Sequence, residues 1–156
     1  MADTNTNISA ENRKALADGL SRALADSYTL YLKTHNFHWN VEGPGFQGLH
    51  NLFEKQYTDL AEAIDEIAER IRALGHYAPG SYTEFAELAS VKEQTQKLDS
   101  KSMLRELSED QDTVVATMRK VIKTAQEADD PASEDLMVSR IQVHEKNAWM
   151  LRAHLA

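Results

Sequence analysis

The stretch "KTHNFHWNVEGPGFQGLHNLFEKQYTDLAEAIDEIAERIRALG", residues 33–75, decides how the chain folds. Its first residues continue an apolar pattern that begins after Ser9, a plausible N-cap, and places Leu16, Leu20, Leu24 and Tyr31 on one side of a helix. Gly43, Pro44 and Gly45 cannot all sit inside a helix, so "EGPG" ends it. A second helix runs from about Phe46 to Leu74 and stops at Gly75. The break between them collects His35, His38, Trp39 and His50, three of the six histidines and one of the two tryptophans.

Outward from this hairpin the rest is plain. Residues 75–100 are mixed, with "GHYAPGSY" as loop and "TEFAELASVKE" as a short extra helix. A third long helix is expected from about Ser102 to Glu127, carrying Leu104, Leu107, Val114, Met118, Val121 and Ala125 at three-four spacing. Asp130 caps a fourth, with Pro131 in its first position and Met137, Ile141, His144, Ala148, Leu151 and Leu155 on its stripe. The expected fold is all-α, a four-helix bundle. Its long crossover lets helices two and three run parallel, which is the ferritin-like connection. One domain over 1–156 is expected, with 1–8 as a flexible N-terminal tail.

Composition narrows the functions. No cysteine is present, so disulfides, zinc–thiolate sites and thiol catalysis are excluded. No apolar run reaches a membrane span and the N-terminus has no signal-like segment, so a cytoplasmic protein is expected. A formal charge of −8 repels phosphate backbones and suits a protein that attracts cations.

Bundles of this connection commonly hold two metals in the core on Glu-x-x-His pairs. No Glu here has a His three residues later. The second helix offers another place. At about 100° per residue, His50, Glu54, Asp65 and Glu69 fall at roughly 0°, 40°, 60° and 100° on one stripe. Glu54 and Asp65 are nevertheless about 16 Å apart along the axis, too far for one cluster within one chain. The pairs 50/69 and 54/65 share one midpoint, between positions 59 and 60. An antiparallel, two-fold contact of this helix with its own copy would therefore bring His50 to Glu69 and Glu54 to Asp65. His38 folds back beside His50 to complete two imidazoles and three carboxylates. Taken singly, each residue also has a bland reading: solvated acids, a satisfied core histidine, a packing tryptophan. His35 reads as exposed or supporting, His76 and His154 as surface, and His144 as a hydrogen-bonded core histidine.

The stretch closely resembles the signature of the Dps family, the mini-ferritins. The matching residues are His38-Trp39-Asn40, Gly43, Phe46, His50, Glu54, then Asp65, Glu69 and Arg70, and "VHEKNAWMLRAHL" is similar to the family's last helix. The resemblance implies a homododecameric cage with a ferroxidase centre at each two-fold interface. It implies iron as the metal, oxidised from Fe(II) preferably by hydrogen peroxide rather than oxygen and stored as ferric mineral. His38 and His50 match its ligand histidines, and Asp65 and Glu69 the carboxylates given by the partner chain. Glu54 stands where many relatives have Asp, so direct and water-mediated roles stay open. Trp39 matches a tryptophan beside the iron, able to donate an electron. Acidic three-fold pores are implied near "EADDPASEDL", with Asp130 and Asp135 as the expected pore residues. Relatives that bind DNA usually use a basic terminal tail. The first twenty residues hold only Arg13 and Lys14, so DNA binding is expected to be weak or absent at neutral pH. A DNA-compacting, nucleoid-associated protein with secondary iron chemistry is the alternative.

Overall fold

The computed structural model describes residues 4–156, so the first part of the expected tail lies outside the described residues. Five helices follow one another: α1 Ala10–Asn40, α2 Phe46–Ala73, α3 Tyr82–Leu88, α4 Ser100–Glu127 and α5 Pro131–Ala153. The four long ones form the bundle and α3 sits in the crossover, as the sequence pattern predicts. Before α1, Ile8 already packs against the core.

Local chemistry sets each boundary. The Ser9 and Asp99 side chains accept from the N–H groups of Asn12 and Ser102, capping α1 and α4. Asp130 accepts from Ala132 and Ser133 and so caps α5, with Pro131 at its first position. Between α1 and α2, Gly43 and Gly45 adopt φ of 93° and 80°, left-handed values that strain any residue with a Cβ. Gly75 ends α2 at φ 86°.

Helix direction follows from the ion pairs. On α2 and α5, Arg70 meets Asp130 and Asp59 meets Arg140, so these two run antiparallel. On α4 and α5, Arg119 meets Glu145 and Asp112 meets Arg152, so these also run antiparallel. Helices α2 and α4 are therefore parallel, which is what the crossover requires.

The core is aliphatic. Leu16, Leu20, Leu24, Leu30, Phe37, Phe53, Leu60, Ile67, Ile71, Leu107 and Met118 are almost wholly buried. Each such side chain contributes about 1.5–3 kcal/mol by leaving water. Two buried polar groups fasten the crossover to this core. Asp26, fully buried on α1, accepts from the backbone N–H of Ser90 (2.6 Å) and Val91 (3.0 Å) and from the Thr117 hydroxyl (2.6 Å). Lys33 donates to the Lys92 carbonyl at 3.0 Å and pairs with Glu106 and Asp110 on α4 at 3.0 and 2.7 Å. Among the described residues no helix is long and apolar enough to cross a membrane.

Candidate metal centre

The hairpin brings His38, at the end of α1, against His50, in the first turns of α2. Their rings stack with centroids 3.8 Å apart. Each ring also bonds to the other residue's backbone: His38 Nδ1 to the His50 carbonyl at 2.8 Å, and His50 Nδ1 to the His38 carbonyl at 2.7 Å. A carbonyl only accepts, so both Nδ1 atoms carry a proton, and in the neutral form of each ring the lone pair lies on Nε2. This reciprocal bond fixes tautomer and ring orientation together, the usual way a protein orients an imidazole for a metal.

Around this pair lies an aromatic shell. Phe46 stacks on the His50 ring at 5.1 Å, and Tyr57 meets the His38 ring edge-on at 5.1 Å. Tyr57 also stacks on His35 at 4.1 Å, and His35 lies 3.9 Å from Trp39. His35 is thus not an exposed surface residue but half-buried between two rings. Burial, and then the neighbouring His38, lower its pKa and leave it neutral. Burial, with the Glu54 charge nearby, raises Tyr57, so the phenol keeps its proton. Reading the sequence for ligands passed over Tyr57. The available signal was its place one turn after Glu54, on the edge of the same stripe.

Glu54, Asp65 and Glu69 are exposed on α2, and Trp39 and Phe46 present 59% and 42% of their surface. Glu54 lies one turn beyond His50, whereas Asp65 and Glu69 continue along the stripe away from the imidazoles. Among the described residues, no three His, Asp or Glu side chains of the single chain gather into a metal-holding group. Between the two halves of the stripe lie Thr58 and Ala61, both exposed and small.

The bundle core holds a different polar layer. His144 is fully buried, and its Nδ1 donates to Gln111 Oε1 at 2.6 Å. Burial, and then the charge of Arg140 3.5 Å from its Nε2, push its pKa down to about 3. Arg140 in turn forms a two-pronged pair with Asp59, at 3.2 and 2.8 Å. A guanidinium at this level repels a metal cation, so the core is unsuited to the site that Glu-x-x-His bundles carry there. His144 is the hydrogen-bonded core histidine expected from the sequence.

At the α4–α5 junction the two expected pore residues part company. Asp130 is 4% exposed, with both oxygens held by Arg70 at 2.9 and 2.8 Å and one also bonded to the Ser133 hydroxyl. Burial alone would raise its pKa, but the bonds from Ser133 and Arg70 outweigh it and hold the carboxyl below its usual range. Its carboxylate is committed to capping and pairing. Asp135 is exposed, as are Glu127 and Asp129, while Glu134 accepts from Gln126 at 2.7 Å.

Comparison with known proteins places the fold and the sequence. A family model for the ferritin-like domain matches residues 17–156. The chain is 38% identical to DNA protection during starvation protein 2 of Bacillus anthracis, over 91% of this chain and 97% of the relative. It is equally similar, at 38%, to a low temperature-induced protein of Nostoc, over 99% of this chain and 88% of that one. Among solved structures, the Vibrio cholerae Dps protein superposes with a TM-score of 0.93 at 33% identity, covering 100% of this chain and 99% of the other. That protein is described as a member of a broad superfamily of ferritin-like diiron-carboxylate proteins. Bundle, crossover and sequence thus define a ferritin-like protein. Within that class the chain belongs to the Dps family.

Proposed function

We propose that this protein is a cytoplasmic ferroxidase and iron-storage mini-ferritin. It oxidises Fe(II) with hydrogen peroxide at centres shared between subunits and stores ferric mineral in a dodecameric cage. The observation that carries the reading is the His38–His50 pair, locked through Nδ1 with both Nε2 atoms free, beside a stripe of exposed carboxylates on the same helix. Neutral imidazole with carboxylate suits Fe(II), and the carboxylate oxygens suit the harder Fe(III) that forms. Iron is the substrate. Two Fe(II) give two electrons to one peroxide, which takes up two protons and leaves as water without releasing a hydroxyl radical.

A two-fold contact centred between positions 59 and 60 supplies Asp65 and Glu69 of a second copy to His38, His50 and Glu54 of the first. Thr58 and Ala61 share that midpoint and leave room for the two helices to approach. The two centres of such a pair lie about 22 Å apart along the axis. Iron entry falls to Asp135 with Glu127 and Asp129, since Asp130 is held by its cap on α5 and by Arg70 of α2.

Complementation tests the sharing. His50→Ala and Asp65→Ala each abolish fast Fe(II) oxidation by peroxide in the absence of oxygen. In cages co-assembled from equal amounts of both, half of the two-fold contacts pair unlike chains, and each of these rebuilds one intact centre of two. About a quarter of the wild-type rate returns. Mixed cages that stay as inactive as the single variants refute a shared centre, and single variants as fast as wild type refute the residues.

A further inference from the structure

Four of the five tyrosines stand in one file with the candidate centre at its head. From Trp39 the rings run through His35 (3.9 Å) to Tyr57 (4.1 Å), which also touches His38. From Tyr57 the file continues to Tyr31 (6.1 Å), Tyr28 (5.8 Å) and Tyr82 (6.2 Å). Tyr57, Tyr31 and Tyr28 are half-buried, and Tyr82, on α3, exposes 72% of its surface. Phe85 stacks on Tyr28 at 4.8 Å and holds that end of the file against α1.

We propose that Trp39, Tyr57, Tyr31, Tyr28 and Tyr82 form a one-electron relay that carries oxidising equivalents from the centre to the crossover surface. The function proposed above enters only as the source of the oxidant. When a single Fe(II) meets peroxide, it yields Fe(III), hydroxide and a hydroxyl radical. The radical takes one electron and the indole proton from Trp39 and becomes water. The Trp39 radical regains an electron and a proton as Tyr57 loses an electron and its phenolic proton. The same exchange repeats along Tyr31 and Tyr28 and ends as a phenoxyl on Tyr82. An external one-electron reductant of the thiol or ascorbate class restores Tyr82 with an electron and a proton. Indole radicals are stronger oxidants than phenoxyl radicals at neutral pH, so the first transfer runs downhill and the remaining ones are close to level.

The test needs no iron. In a Trp149→Phe background Trp39 is the only indole. Azide radical, made by pulse radiolysis of the assembled metal-free protein, oxidises that indole selectively. The indolyl absorbance is expected to fall as phenoxyl absorbance rises, at a rate independent of protein concentration. Tyr57→Phe slows this transfer about tenfold, whereas Tyr77→Phe, outside the file, leaves it unchanged. Tyr82→Phe preserves the transfer out of Trp39 but slows the quenching of phenoxyl by added ascorbate about tenfold. Should Tyr57→Phe fail to assemble, Tyr31→Phe replaces it, with phenoxyl quenching slowed in the same way. A transfer rate unchanged by Tyr57→Phe, one proportional to protein concentration, or quenching indifferent to both Tyr82 and Tyr31 overturns the relay. Because no iron takes part, failure here leaves the ferroxidase reading standing, and failure of iron oxidation leaves the relay standing.

Discussion

His144 ties the stability of the bundle to pH in a way that can be worked out in advance. The imidazole is buried with Nδ1 on Gln111 and Arg140 beside Nε2, and its pKa falls to about 3 from an ordinary 6.5. The unfolded chain therefore takes up a proton as pH falls through 6.5, while the folded chain refuses it until about 3. A depressed folded pKa makes this stability fully present above 6.5 and progressively lost below it. The limiting slope is about 1.4 kcal/mol per pH unit. Between pH 7 and pH 5 the loss from this one group is about 2 kcal/mol, and by pH 4 about 3 kcal/mol.

Urea unfolding at fixed protein concentration, followed by circular dichroism at pH 7, 6, 5 and 4, measures the effect, because assembly links stability to concentration. With a slope of about 2 kcal/mol/M the midpoint drops by about 1 M between pH 7 and 5 from His144 alone. His144→Leu removes the titration. It is less stable than wild type at pH 7, because the Gln111 carbonyl and Arg140 lose a partner, but its midpoint falls less steeply with acid. Asp130 also loses stabilisation in acid and is common to both proteins, so the difference in slopes isolates His144. Equal slopes for the two proteins between pH 6.5 and 4 refute the reasoning, whatever their absolute stabilities.

Three further outcomes follow. Asp26→Ala orphans two backbone N–H groups and the Thr117 hydroxyl. It should cost about 4 kcal/mol or more in urea unfolding, whereas Thr117→Val, which removes one of the three bonds, costs about 1–2 kcal/mol. Gly45→Ala meets no atom within 4 Å of the added Cβ but holds φ at 80°. Its penalty of about 1–2 kcal/mol is therefore backbone strain alone, and a cost near zero in thermal unfolding would contradict that. In a gel shift at pH 7 and low salt the protein is expected to leave duplex DNA free, since each chain carries a formal −8. Tight complexes under those conditions would show that net charge does not govern the encounter.

The long helices were legible because their signals are local. Ser9, Asp130 with Pro131, Gly75 and the Gly-Pro-Gly break each act within a few residues of themselves, and the apolar stripes repeat at the helical period. The candidate ligands were chosen by a different rule: the pairs 50/69 and 54/65 share a midpoint, and position numbers along a straight helix are a ruler; within one chain the structure joins His38 to His50 and leaves Asp65 and Glu69 farther along the stripe. What stayed hidden was non-local. Nothing in sequence joins Asp26 to Ser90 and Val91, or Lys33 to Lys92, until the crossover is laid across α1. The capping role of Asp130 was visible in the sequence, but its pairing with Arg70 sixty residues away was not. Tyr57 and the half-buried place of His35 stayed hidden because ring-on-ring contact between helices leaves no periodic mark.

The exchange between His38 and His50 also changes what the helix break is for. Each imidazole is oriented by the other residue's carbonyl, and both carbonyls belong to the backbone on either side of the hairpin. The angle of the hairpin and the aim of the two Nε2 atoms are therefore one variable. His38→Ala removes one ring and also the donor that satisfies the His50 carbonyl. His38→Gln retains an N–H donor that can reach that carbonyl, but no imidazole. If the histidines serve only the metal, the two variants lose iron oxidation alike and unfold alike. If they also set the hairpin, His38→Gln keeps more of the thermal stability of the metal-free protein than His38→Ala, by about 1 kcal/mol for a bond of this kind, while both lose oxidation. Equal stability of the two in the absence of iron would separate the hairpin from the site.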